Sequence, residues 1–444
     1  MTPKSAFLSL LIAAASIVVV FISSRSANEP KRPESAPVEF ELPASFALEV
    51  TSFDTFCDLK PWVSKDIWIS NMGGVRWPVA ASRVRAAADR LRAQIAEGSI
   101  ASEREDDARY ATVVEFVEAS SRTRVTMRSG FAAAAEYRVV SADLKEPLIV
   151  SSGDAAARMF TPDSLRMWRE ATALIAVKGK DKSFVAKSGG LHTELARGVQ
   201  GWKLAQPVVV SANNDIVNMQ IGALRTMRAR RILSVHEVPQ QMFDTPLASF
   251  ELATELDGRI GVLRERLEIG GPADLSNQTV FVRAEAMLEP IDGSGSSETA
   301  WGPAVLVVDR ADVERLTADW RVYASARASD VIKADVLSVV IRSKGQPERK
   351  YDRRIKGWSE SGQSVNALLA LMCDADASFT HLESDMRSEE VLGEIELRGG
   401  GGVLETLILR APGAQSKSNL MIQSGGVTRE YAVNDQLLRW LVAR

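Results

Sequence analysis

Side chains that commonly carry chemistry are few in this sequence, and they are far apart. The three histidines are His192, His236 and His381, and none has a second histidine or a cysteine four residues away. Metal sites depend on such spacing, because several side chains must converge on one ion. The chain also has no His-Glu-x-x-His run, no Cys-x-x-Cys pair and no Gly-x-x-x-x-Gly-Lys-Ser/Thr loop. We therefore expect no enzyme activity, no catalytic residue, no metal and no cofactor.

Cysteine usage and charge narrow the function classes further. Cys57 and Cys373 are the two cysteines of the chain, and they are widely separated. They predict either two buried, unreactive thiols or a single disulfide bridge. The formal net charge of −3 at pH 7 gives no overall basic field, so nucleic acid is not expected as a partner.

One cluster of cations is a candidate binding surface. Arg225, Arg228, Arg230 and Arg231 crowd the end of a predicted helix. Cations at that place complement the negative end of the helix dipole, which is one interpretation. The other is a docking patch for an acidic partner or for lipid headgroups.

The stretch 292–298 lacks the alternating carboxylates of a calcium loop, so it predicts a flexible loop.

Tryptophans mark a module that occurs three times along the chain. Trp77, Trp202 and Trp358 each follow a strand-like run and a turn, and each precedes a segment of helical periodicity. A large aromatic side chain at equivalent positions is expected to fill the core of each module. Each module closes with a short helix that follows a capping residue, and the tryptophans of these helices are Trp168, Trp320 and Trp440.

The helix after each opening tryptophan is predicted from apolar residues three or four positions apart, which form one face. In the second module the helix follows a cap cluster at 213–215. The predicted faces comprise Val84, Ala87, Ala88 and Leu91 in the first module, Ile216, Met219, Leu224 and Met227 in the second, and Val365, Leu368, Leu369 and Met372 in the third.

Strands are predicted after each helix, from alternating apolar residues between glycine-rich turns. They are Thr112–Val117, Thr123–Met127 and Tyr137–Val140 in the first module, Phe250–Glu255, Leu263–Ile269 and Val280–Glu285 in the second, and Glu394–Arg398, Thr406–Arg410 and Leu420–Gln423 in the third.

The N-terminal residues predict a membrane anchor. Residues 6–22 read AFLSLLIAAASIVVVFI without a charge, close to the roughly 20 apolar residues that span a bilayer as a helix. A cleaved signal peptide is the alternative, with a poor small-x-small site at 24–26. The proline-rich residues 25–38 predict a disordered linker. Because long domains translocate largely regardless of charge, we expect the C-terminal region outside the cytoplasm.

The sequence therefore predicts an α+β protein, in which an N-terminal transmembrane helix is followed by three related modules of mostly antiparallel sheet with packed helices. The predicted boundaries are 1–24 for the anchor, 25–38 for the linker, and 39–176, 177–330 and 331–444 for the three modules.

A resemblance adds to this prediction. The second module combines Gly201-Trp202, the segment 243–247 (FDTPL) and Asp319-Trp320-Arg321. In these residues it resembles a bacterial, membrane-anchored family of repeated domains of unknown function, often encoded beside gliding-motility-type ABC transporter subunits. The resemblance is best over 177–330, extends to 331–444 and is loose over 39–176. It implies a location in the bacterial inner membrane and transporter permease or ATPase subunits as partners, and it supplies no catalytic residues.

Two functional hypotheses follow. The first is a non-catalytic, membrane-anchored, extracytoplasmic scaffold or accessory subunit of an ABC-type transport system. The second is a periplasmic solute- or glycan-binding protein that holds its ligand between modules, since pockets favour domain interfaces. Exposed tryptophans in a cleft would favour the binding protein, whereas a flat apolar or arginine-rich patch would favour the scaffold.

Overall fold

A computed structural model describes residues 46–442, except 53, 64–65, 101–110, 119–120, 130–133, 143, 292–295, 356, 360, 383–389 and 413–417. The predicted anchor (1–24) and linker (25–38) lie outside the described residues. Within the part that is described, no helix is long and apolar enough to cross a membrane. The predicted loop at 292–298 also falls largely outside it, and Glu298 already begins a strand.

The first module has short strands before and after one long helix, and it ends with two short helices. Its elements are β1 (Ala47–Ser52), β2 (Thr55–Pro61), β3 (Ile67–Met72), β4 (Val75–Ala80), α1 (Ala81–Glu97), β5 (Ser99–Ile100), β6 (Ala111–Val117), β7 (Arg122–Ser129), β8 (Ala134–Val140), β9 (Leu148–Gly153), α2 (Ala155–Met159) and α3 (Pro162–Met167).

The second module repeats this sequence of elements with longer strands. They are β10 (Gly179–Ser188), β11 (Leu191–Gly198), β12 (Gly201–Gln206), β13 (Val210–Ser211), α4 (Asn214–Thr226), β14 (Ala229–Ser234), β15 (Ala248–Leu256), β16 (Val262–Pro272), β17 (Thr279–Glu289), β18 (Glu298–Asp309), α5 (Arg310–Val313) and α6 (Trp320–Tyr323).

The third module has one strand fewer before its helix. Its elements are β19 (Ser338–Ser343), β20 (Arg349–Arg354), β21 (Gly357–Trp358), α7 (Gly362–Cys373), β22 (Phe379–Leu382), β23 (Val391–Gly399), β24 (Gly402–Arg410), β25 (Leu420–Ser424), β26 (Val427–Tyr431) and α8 (Asp435–Val442). All nine strands predicted from the sequence lie within observed strands.

The three sheets are antiparallel and share the same non-sequential pairings. The first strand of each module pairs with the strand that opens its final run of four: β1 with β6, β10 with β15, and β19 with β23. The strand after the helix pairs with the last strand: β5 with β9, β14 with β18, and β22 with β26. This shared order confirms the prediction of mostly antiparallel sheet repeated in three modules.

The chain forms two compact units. The first contains the described residues up to Lys60 together with Ala81–Trp168, and the second contains Pro61–Ala80 together with Arg169 onwards. The second unit therefore includes the second and third modules and also the β3–β4 hairpin, whose residues lie between two segments of the first unit in the sequence.

The β3–β4 hairpin is held in the second unit by aromatic packing and main-chain hydrogen bonds. The Trp62 and Trp301 rings meet edge to face, with centroids 5.2 Å apart. The indole Nε1 of Trp77 donates to the Glu170 carbonyl at 2.7 Å. The buried Arg169 guanidinium donates to the Met72 carbonyl at 2.7 Å. Because these groups are removed from water, the hairpin is part of this unit's core.

The helices bury equivalent faces. The faces predicted for α1 and α7 are buried as expected. The face predicted for α4 is partly wrong, because Met219 is exposed and Ile216 is only half-buried. The helix instead buries a polar residue, Gln220, whose amide bonds the Arg315 carbonyl and the Thr317 N–H. The observed α4 face is Val217, Gln220, Ile221 and Leu224, with the same spacing as in α1 and α7.

The opening tryptophans of the second and third modules permit a matched test of burial. Trp202 is 2% exposed and Trp358 is half-buried, and each indole donates to an asparagine on the following helix, Asn218 or Asn366. We expect Trp202→Ala to lower the free energy of unfolding by about 3–5 kcal/mol, as is usual for a buried aromatic side chain. Trp358→Ala should cost less than half as much. Chemical denaturation followed by circular dichroism measures both, and equal losses would contradict this assignment.

Candidate functional site

The four arginines predicted as a docking patch do not share one environment. Arg225, near the end of α4, forms a two-pronged ion pair with Asp181 of β10, with N–O distances of 2.7 and 3.1 Å. Arg228, Arg230 and Arg231 are exposed. Arg230 pairs with Asp309 at 2.5 Å. Residues 228–231 therefore present an exposed basic segment, while Arg225 is engaged inside the module. Whether this segment binds a partner stays a prediction.

Arg225 belongs to a polar cluster inside the second module. The Asp181 carboxylate that it binds also accepts a hydrogen bond from the Thr254 hydroxyl at 3.0 Å. Asp181, Thr254 and Glu265 lie on β10, β15 and β16, which are neighbours in the sheet. Three adjacent strands and the helix α4 thus place four polar side chains in one region, Asp181, Arg225, Thr254 and Glu265.

Glu265 is the most perturbed group of this cluster. One carboxyl oxygen accepts the Ile175 N–H at 2.7 Å, and the other has no hydrogen-bond partner among the described residues. Burial raises the pKa of Glu265 to about 8, although the Ile175 N–H and the charge of Arg225 act in the opposite direction. The side chain is therefore protonated at neutral pH. With 2% of its surface exposed, it is a polar core residue that no substrate in bulk water can reach.

Glu265 is not among the predicted site residues, but the sequence contains a signal for it. Leu263, Leu267 and Ile269 of β16 are buried, and Glu265 occupies the same inward phase of the strand. A carboxylate in the apolar phase of an alternating strand indicates a buried charge or a neutral acid.

The third module carries a more exposed ionic cluster. Arg342 of β19 donates to Glu348 at 2.8 Å and to Glu394 at 3.0 Å, and it also pairs with Glu396. Hydrogen bonds from Arg342 and Arg398 lower the pKa of Glu396. Ion pairs between exposed side chains, such as the pair with Glu348, contribute little to stability.

The three histidines lie on separate elements. His192 on β11 lies 3.0 Å from Glu194, and His381 on β22 lies 3.0 Å from Glu430. His236 is exposed, in a short 3-10 turn. Across the described part of the chain, no group of three or more His, Cys, Asp or Glu side chains is arranged to hold a metal ion.

The two cysteines are free thiols, and both are buried. This agrees with the first of the two alternatives that the sequence left open, and it excludes the disulfide. Burial raises the pKa of the Cys373 thiol, which keeps it protonated and unreactive at neutral pH.

Two shallow clefts occupy corresponding places in the second and third modules. Each lies where the first strand of the module ends beside the strand with which it pairs, and their volumes are about 400 and 460 Å³. Both clefts are formed within a module rather than between modules. The first is lined by Lys187, Ser188, His192, Pro246 and Ser249, and the second by Arg342, Ser343, Lys344, Val391 and Glu394, among others.

Comparison with known proteins identifies no relative: no protein family, curated protein or solved structure matches this chain.

The buried carboxyl of Glu265 gives a prediction with a defined pH dependence. Its pKa is raised from 4.5 to about 8 on folding, so between these values the folded chain holds a proton that the unfolded chain has released. This group therefore makes stability fall as pH rises from about 4.5 to 8, by up to about 1.4 kcal/mol per pH unit. Glu265→Gln keeps the shape and removes the titration.

We expect the stability of Glu265→Gln relative to the native protein to increase steadily from pH 5 to pH 8 in chemical denaturation. The matched control is Glu298→Gln, because Glu298 is exposed. Its difference from the native protein should stay flat over the same range. A flat difference for both variants would show that Glu265 is not protonated in the folded chain.

Proposed function

We propose that this protein is a non-catalytic, membrane-anchored scaffold or accessory subunit outside the cytoplasm, and that it serves an ABC-type transport system. The N-terminal apolar run at 6–22 is the proposed anchor and residues 25–38 the tether. The bacterial inner membrane is the proposed location, with transporter permease or ATPase subunits as partners. The transporter association rests on the family resemblance of the second module.

The observation that carries the proposal is that the distinctive residues of the modules lie in the interior of the modules and not in an open site. Trp77 and Trp202 are buried, and their indole N–H groups are satisfied within the protein. The cluster around Arg225 and Glu265 is likewise internal. Trp77 and Trp202, which occupy equivalent places in two modules, therefore contribute to the cores of those modules, as expected for a repeated structural domain whose surfaces bind other proteins.

A second candidate function is supported by the two clefts. Their corresponding positions in the second and third modules are compatible with a repeated subsite for a solute or a glycan. Against this, the clefts are shallow and carry no tryptophan among their lining residues. Stacked aromatic rings would be expected in a glycan site.

Site-specific photo-crosslinking in intact membranes tests the scaffold proposal. A photoreactive amino acid placed at Arg228 or Arg231 of the full-length chain should capture a transporter permease subunit, identified by mass spectrometry. Both side chains are exposed and extend into solvent.

The matched control position is Leu275, which is fully exposed in the turn between β16 and β17. Capture of transporter subunits from position 228 or 231 but not from 275 would support the proposal. If neither arginine position captures another membrane protein while the chain is present in the membrane, the predicted docking patch is wrong. Recovery of bound saccharide with the purified chain would favour the second candidate.

A further inference from the structure

Exposed aliphatic side chains gather at one end of the third module. Ile355 is fully exposed at the turn between β20 and β21, and Leu337 precedes β19. The turn between β23 and β24 carries two more, at the start of β24. We call these residues, together with one from the preceding loop, the apolar tip: Ile332, Leu337, Ile355, Val403 and Leu404.

The apolar tip is one surface, because its turns lie at the same end of the sheet. β20 ends, β19 begins, β23 ends and β24 begins at this edge, in adjacent positions. The Leu337 N–H donates to the Arg398 carbonyl at 2.8 Å, and the Leu337 carbonyl accepts from the Arg353 N–H at 2.8 Å. The Leu337 side chain also lies beside Gly400, since a methyl side chain at position 400 would be 3.8 Å from Leu337 Cδ1. The three segments are therefore neighbours.

The module core does not need these side chains. Beneath the tip, Val336, Val339 and Leu397 are fully buried and already close the core at this end. In contrast, Leu337 and Leu404 keep close to half of their surface in water, and Ile355 keeps all of it. Single exposed aliphatic residues are ordinary, but a contiguous group indicates a binding surface.

The apolar tip has a basic rim. Arg353 directs Nη1 at the carbonyl oxygens of Lys333 and Ala334, at 3.1 and 3.0 Å, and it forms no ion pair with a carboxylate of the described residues. Arg354 is exposed beside Ile355. Lys333 is paired with Asp374, and Asp335 is an exposed carboxylate at the same end. Because Lys333 and Asp374 cancel, the two arginines and the one carboxylate of Asp335 leave one net positive charge among these groups.

We propose that the apolar tip of the third module enters the headgroup region of an anionic lipid bilayer. Aliphatic side chains on projecting turns, with arginines beside them, suit this interface, because the chains enter the acyl boundary while the cations meet lipid phosphates. The inference rests on the proposed function only in that a membrane anchor keeps a bilayer within reach. It gives the third module a surface that faces the membrane.

Depth-dependent fluorescence quenching tests this. The full-length chain with Ile355→Cys is labelled with an environment-sensitive fluorophore and incorporated into phosphatidylcholine vesicles with or without phosphatidylglycerol. Both native thiols are buried, so labelling is selective for the introduced cysteine. The quencher is a lipid with a spin label near its headgroup. The control is Leu275→Cys, as exposed as position 355 but in a turn of the second module.

We expect several-fold stronger quenching at position 355 than at 275, increased by phosphatidylglycerol and reduced when Leu404→Asp is added. Flotation of the vesicles reports separately whether the chain is bound to them. If the chain floats with the vesicles but positions 355 and 275 are quenched equally, the inference about the apolar tip is wrong and the proposed anchor is supported. If the chain does not float and position 355 is not quenched, both are wrong. A third outcome is that the chain floats only with vesicles that contain phosphatidylglycerol, and that Leu404→Asp abolishes this flotation. The apolar tip then binds lipid, and the proposed anchor is wrong.

Discussion

In the second and third modules the helix connects the two opposite edges of one sheet. The chain leaves the sheet at β13 or β21, and it re-enters at β14 or β22 on the far edge. A connection of this kind must cross the face of the sheet, and an apolar helix face is what makes the crossing stable. The sheet order, the buried faces of α4 and α7, and the tryptophan that each helix holds through an asparagine all depend on this one constraint.

Much of this architecture could be predicted from the sequence, because the strands and helices follow from the local spacing of apolar residues. The strands after each helix alternate clearly, and the helix faces of α1 and α7 follow from spacing alone. The face of α4 could not be predicted in this way, since Gln220 is buried through bonds to the distant Arg315 and Thr317. The helical periodicity of apolar residues predicts which of them face the core. It cannot predict that a polar residue is buried because a later segment of the chain supplies its hydrogen-bond partners.

The polar cluster shows the same limit more strongly. Arg225 is one of four arginines that look alike in the sequence, yet it alone has Asp181 opposite it, on a strand more than forty residues earlier. Glu265 could be suspected from its place in an apolar phase, but its protonated state depends on burial that only the assembled sheet provides. Residues whose roles depend on long-range neighbours are those for which composition and motifs were least informative.

The β3–β4 hairpin has a consequence for biosynthesis. Its residues, 67–80, are made long before the β18 strand against which β4 packs, at 298–309. Trp62 is therefore made more than two hundred residues before Trp301, against whose ring it packs in the folded chain. Until β18 is made, the hairpin lacks the strand that covers it in the folded chain, and exposed apolar surface of this kind promotes aggregation of incomplete chains.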